Sequence, residues 1–424
     1  MQRLAALPSW YRTNPTLAWI CILIAVNQTG FGSIVPIVPL YAKTFDVSQF
    51  LIGFSVAVYG LARFAANMPA GRVSDMLGRG SAIAIGGLIT AGGNILSALA
   101  ANYALFLAGR FVGGLGAATV ITASQIIVTD ISTNENRGRI FGLYMTVFMF
   151  AVGFAPLPGG FIGQHFGLSI PFYVYAVLGL VVTLLALTRI PDTRHPDERG
   201  GRSRQAAPAG TEPRLQFGKQ IQLLVRQPAF LLVSVASFST YFARTGGVFT
   251  ILPQRAQDSM GLSTGQIGLG LSAISIVSLS IAYPSGVVID RFGRKAVIVP
   301  AVLFGAVAMV CFAFAGGLIT YVVSCMIWGI SVGLAGAAPT AYAADVAPPG
   351  MNAAAMGTFR SLSDCGYILG PFLLGAIADL SSTGTALIAT AVMLLIIGTI
   401  FALVAPETHR VLQPAAAVKD VTGD

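Results

Sequence analysis

The sequence predicts an all-α integral membrane protein, with twelve transmembrane helices in two pseudo-symmetric six-helix bundles. Three observations predict it. The 424 residues are 55% hydrophobic and only 10% charged, with a mean hydropathy of +0.78. Soluble domains carry about 25% charged residues, so lipid is the main solvent here. The apolar residues fall into twelve runs, each close to the roughly 20 residues that a bilayer core demands. The two halves of the chain also repeat each other at a constant offset of 215 residues.

The spans, numbered α1–α12, are expected near 17–40, 51–70, 81–101, 103–128, 141–162, 170–188, 229–250, 266–284, 296–315, 318–342, 354–378 and 385–405. Strands are excluded because the runs are continuous rather than alternating. The first run does not read as a cleaved signal: it passes Asn27 and Gln28 to Pro36 without a small-residue cleavage site. Cys21, Cys311, Cys325 and Cys365 lie inside runs, lack metal-ligand spacing and read as small buried hydrophobes. No metal site and no cofactor is expected.

Basic residues set the orientation. Of 25 Lys and Arg, Lys43 and Arg255 fall in loops on one face, and Arg63, Arg110, Arg244 and Arg360 fall inside spans. The remaining nineteen lie on the other face, which predicts that both termini are cytoplasmic in a multi-pass plasma-membrane protein. The net charge of +9 then belongs to loops beside anionic headgroups rather than to nucleic acid. Residues 191–226, rich in Pro, Gly and Arg, read as a flexible cytoplasmic linker between bundles 1–190 and 227–408, with 409–424 as a tail.

The repeat carries the motifs. Ser48, Gly53, Pro69, Gly71, Asp75, Gly78, Arg79, Gly114 and Asp130 fall on Ser263, Gly268, Pro284, Gly286, Asp290, Gly293, Arg294, Gly329 and Asp345. Parallel repeats of this kind place a substrate site between the halves near the midplane. GRVSDMLGRG (71–80) joins α2 to α3, and GVVIDRFGRK (286–295) joins α8 to α9. A six-residue hydrophilic turn between spans needs glycine for its tight path. Asp75 and Arg79, like Asp290 and Arg294, are four apart and within reach of Asp130 or Asp345 at the ends of α4 and α10.

These loops resemble the signature motif of the major facilitator superfamily, and the resemblance covers essentially the whole chain. It implies the major facilitator fold. It also implies a charge cluster of Asp75, Arg79 and Asp130, echoed by Asp290, Arg294 and Asp345, that latches the outward-facing state. Met76 and Gly80 stand where the family has basic residues, which predicts a looser first latch. Arg110 matches the family's α4 arginine, linked there to proton coupling; a snorkelling arginine is the alternative. The glycines of GRFVGGLGAA (109–118) mimic a dinucleotide fingerprint, but no strand precedes them, so they read as close helix packing. Gly366, Gly370 and Pro371 of α11 fit the Gly-Pro pattern of the family's antiporter motif. That motif belongs on α5, where Pro156, Gly159 and Gly160 remain but Ala151 and Ala155 replace expected glycines.

Asp364 is the only acid well inside a span, four residues after Arg360. Their repeat partners are Met145 and Met149, so the pair is not inherited scaffold. Burial and the neighbouring Arg act in opposite directions on a carboxylate, a balance that suits loading and release of a proton. A static i,i+4 ion pair is the alternative. Arg63, Arg244, Asn27, Gln28, Asn67 and Tyr367 complete the candidate cavity, whose arginines favour an anionic or zwitterionic substrate. Tyr59, Phe148, Tyr241, Phe242, Phe249 and Trp328 are candidate apolar lining. His165, His195 and His409 are given no role.

The expected function is a proton-coupled exporter of small amphipathic or anionic compounds, resembling the twelve-helix drug:proton antiporter branch and driven by the proton gradient. Its partners are a small-molecule substrate, protons and lipid, and it is expected to act as a monomer. Organic-anion uptake by proton symport is the first alternative, and a non-transporting membrane sensor the second. Without an intramembrane His, metal cluster or paired carboxylate, an enzyme is not expected.

Overall fold

The computed structural model describes residues 15–133, 136–193, 217–348 and 351–408, apart from the side chains of Met68, Phe217, Asp290, Asn352 and Ala353. The middle of the linker, the tail 409–424, His195, His409 and the Asp290 side chain lie outside the described residues. The rest is helical. The N-terminal bundle comprises α1 (Pro15–Ile34, continued by Ile37–Lys43), α2 (Gln49–Leu77), α3 (Arg79–Ala98), α4 (Tyr103–Asp130), α5 (Arg137–Phe154, continued by Pro156–Phe166) and α6 (Ile170–Arg189). The C-terminal bundle comprises α7 (Pro228–Phe242, a π-helical turn Ala243–Ile251 and Leu252–Asp258), α8 (Thr264–Phe292), α9 (Lys295–Phe314), α10 (Leu318–Ala335, continued by Ala338–Asp345), α11 (Asn352–Leu380) and α12 (Thr383–Val404). Eleven of these spans are continuously long and apolar enough to cross a membrane. The twelfth is α7, which follows an 89° bend after the short helix ending at Arg226.

Three expectations need correction. The end of the linker is not irregular: Phe217–Arg226 is an amphipathic helix whose Leu224 is buried in the C-terminal core. An amphipathic helix lies in the headgroup plane rather than across it, which suits the bend. The segment 71–80 is not a six-residue turn either. α2 runs on to Leu77 and α8 to Phe292, because the i→i−4 ladder satisfies the backbone beyond the bilayer edge. The chain reverses at one residue per loop, Gly78 (φ 98°) and Gly293 (φ 94°), a left-handed conformation suited to glycine. Lastly, Cys21 and Cys325 are buried, but Cys311 is only half-buried and Cys365 is exposed. An apolar run predicts contact with lipid as much as with protein.

Between bundles, α2 packs on α11 and α8 packs on α5. The pseudo-two-fold axis shows at atomic detail in these two contacts. A Cβ on Gly53 would collide with the Pro371 carbonyl, and one on Gly268 with the Pro156 carbonyl. Gly375 abuts the Gln49 carbonyl as Gly160 abuts that of Thr264. Lipid tails are as apolar as leucine, so helices in a bilayer gain little from hydrophobicity and associate through such close backbone approach.

Among the described residues, close polar contacts between the bundles gather at one end. There Lys43 pairs with Asp258 at 2.5 Å. The Gln49 and Phe50 amides donate to Asp379 at 2.7 and 2.8 Å, and Thr264 Oγ1 donates to the Gly160 carbonyl at 2.9 Å. At the opposite end, which carries the 71–80 and 286–295 loops and most of the Arg and Lys, the equivalent positions Gly71 and Gly286, and Gly142 and Gly357, have no neighbouring helix within 4 Å of a Cβ position. The molecule is closed at the loop-poor end and open at the basic end.

Candidate substrate cavity

Between the bundles lies a cavity of about 150 Å³. One wall is polar: Arg63 from α2, Tyr241, Arg244 and Phe249 from α7, and Arg360, Asp364 and Tyr367 from α11. The facing wall is largely apolar: Gln28 and Phe31 from α1, Ile121 and Gln125 from α4, and Met145, Phe148, Met149 and Val152 from α5. Met145 and Met149, the repeat partners of Arg360 and Asp364, thus line the same cavity as the charged pair. At this pair of equivalent positions the duplicated scaffold carries charge in the C-terminal half only.

Asp364 is the one carboxylate among the described lining residues. Arg360 Nε stands 3.8 Å from its Oδ2, too long for a hydrogen bond, and the Arg360 side chain is 63% exposed against 25% for Asp364. This is a loose pair facing open space rather than a buried lock. Arg63 is the second cation close to Asp364, and its guanidinium lies 6.0 Å from the Tyr367 ring centre. Asn67 joins Arg63, Arg360, Asp364 and Tyr367 around a small adjoining recess. Asn27, expected in the cavity, is buried instead, donating to Gln28 Oε1 at 3.0 Å and so orienting a residue that does line it.

Arg110 sits apart from this group. It is buried, which corrects the snorkelling alternative. Its guanidinium stacks 4.5 Å over the Tyr59 ring, and Nε donates to the Ser55 carbonyl at 3.4 Å. Tyr59 stacks on Phe31, and Phe31, Phe249 and Tyr367 border both the central cavity and the narrow space around Arg110. An aromatic layer therefore separates Arg110 from Asp364. Phe242 and Trp328 are buried in the C-terminal core rather than lining.

The two charge clusters form at the basic end, each within its own bundle. Arg79 holds Asp75 and, through Nε at 3.2 Å, Asp130. Arg294 Nε lies 3.0 Å from Asp345. The Arg79 side chain is 4% exposed and that of Arg294 25%, so the first arginine is the more deeply set. Sequence reasoning missed the second partners: Thr193 donates to Asp130 at 2.8 Å, and Thr408 donates to Asp345 at 3.1 Å. Glu407 accepts the Arg294 and Lys295 amides, capping α9. The signal was available, because Pro191-Asp192-Thr193 and Pro406-Glu407-Thr408 also stand 215 residues apart.

The Gly-Pro motifs act as contact surfaces. Gly366 and Gly370 abut the Phe238 and Phe242 carbonyls of α7, and Gly159 abuts that of Ser33. Pro156 begins the second piece of α5.

The family model of the Major Facilitator Superfamily matches residues 20–360 and 233–422. The chain belongs to this superfamily. It is accordingly a multi-pass membrane transporter and not an enzyme. Multidrug resistance protein 2 of Bacillus subtilis (strain 168) is 26% identical over 84% of this chain and 87% of its own. Quinolone resistance protein NorA of Staphylococcus aureus (strain MSSA476) is 22% identical over 82% of this chain and 86% of its own. Among solved structures, the nucleoside transporter NupG aligns with a TM-score of 0.73 at 16% identity, over 92% of this chain and 98% of that one. A bacterial homologue of the human lysosomal transporter Spinster aligns with a TM-score of 0.74 at 16% identity, over 94% and 97%. At that identity these structures speak for the fold alone.

Proposed function

We propose that this superfamily member is a proton-coupled exporter of small amphipathic or anionic compounds, working by alternating access. The observation that carries this reading is the central cavity, where Asp364 faces open space beside Arg63 and Arg360, and where the opposite wall is apolar. The apolar wall takes the body of a substrate, the arginines take its charge, and Asp364 takes the proton. The basic end is assigned to the cytoplasm by its excess of Lys and Arg, so the present conformation faces inward. The bundles 1–190 and 227–408 rock about the cavity, joined by 191–226, in a protein acting as a monomer in the plasma membrane with both termini inside. When the basic end closes, the Asp75–Arg79–Asp130 and Arg294–Asp345 clusters hold it. The names of two relatives, a multidrug resistance protein and a quinolone resistance protein, favour efflux. A proton crossing inward gains about 2.3 kcal/mol per 100 mV, enough to drive a neutral or anionic substrate outward against a modest gradient.

The test is internal pH in proteoliposomes on adding a panel of amphipathic drugs and organic acids. Substrate-triggered proton movement opposite to the substrate, abolished by Asp364→Asn, is the expected result. Proton movement undiminished in Asp364→Asn would remove the carboxylate from the mechanism. Three lining arginines against one carboxylate favour a second reading, organic-anion uptake by proton symport, which the same assay separates by the direction of proton flow.

A further inference from the structure

A second cavity, of about 140 Å³, lies inside the C-terminal bundle between α7, α9, α10 and α11, and Tyr241 and Arg244 border both it and the central one. Its walls are mostly apolar, with Ala301 on α9 and Val332 on α10 among them. α10 breaks beside it at Gly336 (φ 42°) before resuming at Ala338. The equivalent positions of the N-terminal bundle carry neither the arginine nor the helix break. Thr29 occupies the position equivalent to Arg244, and Ile121 that of Gly336, within an unbroken α4. As with Asp364, the departure from the repeated scaffold marks a position that the fold alone does not require.

Arg244 stands in the π-helical turn Ala243–Ile251, at the junction of the two cavities. Such turns recur at functional sites because they displace side chains from the regular helical register. Its guanidinium lies 5.3 Å from the Phe249 ring centre. Among the described residues it forms no ion pair. A guanidinium inside a membrane span is costly to maintain and calls for an anionic partner. It presents five donors in a fork that matches a carboxylate or sulfonate.

We propose that Arg244 and this side cavity form a subsite for an organic monoanion carrying one ring-sized apolar group, with the acid on Arg244 and the ring between α7, α9 and α10. An apolar cavity of about 150 Å³ is known to take a benzene ring, so the space suits one ring and not a fused polycycle. The subsite deepens the substrate reading given above and rests on it.

The experiment is isothermal titration of the full-length protein in lipid nanodiscs with 3-phenylpropionate and its uncharged isostere, 3-phenylpropanamide. The acid is expected to bind at least about tenfold tighter, the scale of one charge-assisted contact. Arg244→Gln removes that preference, and Arg244→Lys, which keeps the charge, retains it in part. Ala301→Phe and Val332→Phe, on different helices, each fill the pocket and weaken both ligands at least about tenfold, with elution profile and thermal melting as folding controls. Equal binding of acid and amide to the wild type overturns the subsite, as does a preference that survives Arg244→Gln, or indifference to both filling variants. If the acid preference depends on Arg63 or Arg360 instead, the subsite is overturned while the central-cavity reading stands. If binding behaves as expected but no compound moves protons in proteoliposomes, the subsite stands and the proton-coupled reading falls.

Discussion

Lys43 and Asp258 occupy equivalent positions in the two halves, 215 residues apart, and their side chains meet at 2.5 Å. Positions exchanged by a two-fold axis touch each other only beside that axis. The pair therefore marks the pseudo-axis at the closed end, above the aromatic layer that covers Arg110. Asp379 reinforces the closure off-axis, accepting two amides at the start of α2. Its repeat partner Gln164 accepts the Gly265 amide at the start of α8.

Magnitudes rank these contacts. Both side chains of the Lys43–Asp258 pair are 41% exposed, and an exposed pair contributes at most about 1 kcal/mol. Lys43→Gln is therefore expected to raise labelling of Val38→Cys by an impermeant maleimide by less than about fivefold, in a background without the native cysteines. Asp379→Ala removes two charge-assisted bonds and is expected to raise it by about tenfold or more. The exchange Lys43→Asp with Asp258→Lys restores the slow rate. Identical labelling in all variants would mean that these charges do not hold the end shut.

The looseness of the Arg360–Asp364 pair separates a working carboxylate from a static one. At 3.8 Å and 63% exposure of the arginine, the pair contributes little to folding. Arg360→Gln is expected to raise the substrate concentration needed for proton movement but to leave that movement intact at saturating substrate, whereas Asp364→Asn abolishes it at every concentration. Equal loss in both variants, with equal loss of thermal stability, would make the pair structural.

The motif glycines are not equivalent. Gly78 has φ 98°, where a side chain costs about 1–2 kcal/mol. Gly71 lies within α2 with open space beside it, where alanine is the better helix former by about 1 kcal/mol. In thermal melts of the unliganded protein, Gly78→Ala is expected to destabilise and Gly71→Ala to be neutral or stabilising. A larger loss from Gly71→Ala would show that the conformation open at the basic end is not the resting state.

Breaking the two charge clusters should cost unequal amounts. Asp130→Asn leaves the Arg79 side chain, almost wholly buried, paired with Asp75 but not with a carboxylate at 130, a loss on the order of 3 kcal/mol. Arg294 and Asp345 are partly solvated, so Asp345→Asn is expected to cost about 1 kcal/mol or less. Differential melting of the two variants measures the gap, and the reverse order would contradict the burial ranking.

Much of this was legible in the sequence because two signals are local. Hydropathy located all twelve spans to within a few residues, α7 and the ends of α2 and α8 excepted. The offset of 215 residues ties Gly53 to Gly268 and Arg79 to Arg294 by order along the chain alone. The same offset also linked Thr193 to Thr408, but a threonine after an acid is too ordinary a pattern to stand out alone. Charge placement found Arg63, Arg244, Arg360 and Asp364 for a physical reason: charge inside a bilayer is expensive, so each instance stands out.

The sequence by itself determined the membrane class, the two-fold repeat, the asymmetric distribution of basic residues and the few charges inside spans, since each is a property of composition or order along the chain. Tertiary structure alone decided which of those charges meet. It put Asp364 and Arg360 on the cavity, opposite the methionines of their own repeat, and Arg110 behind an aromatic layer. It also decided which end is shut, because closure depends on backbones from different halves approaching at Gly53 and Pro371, and at Gly268 and Pro156. Those approaches depend on where helices more than a hundred residues apart in the chain come to rest, and no local pattern encodes that distance.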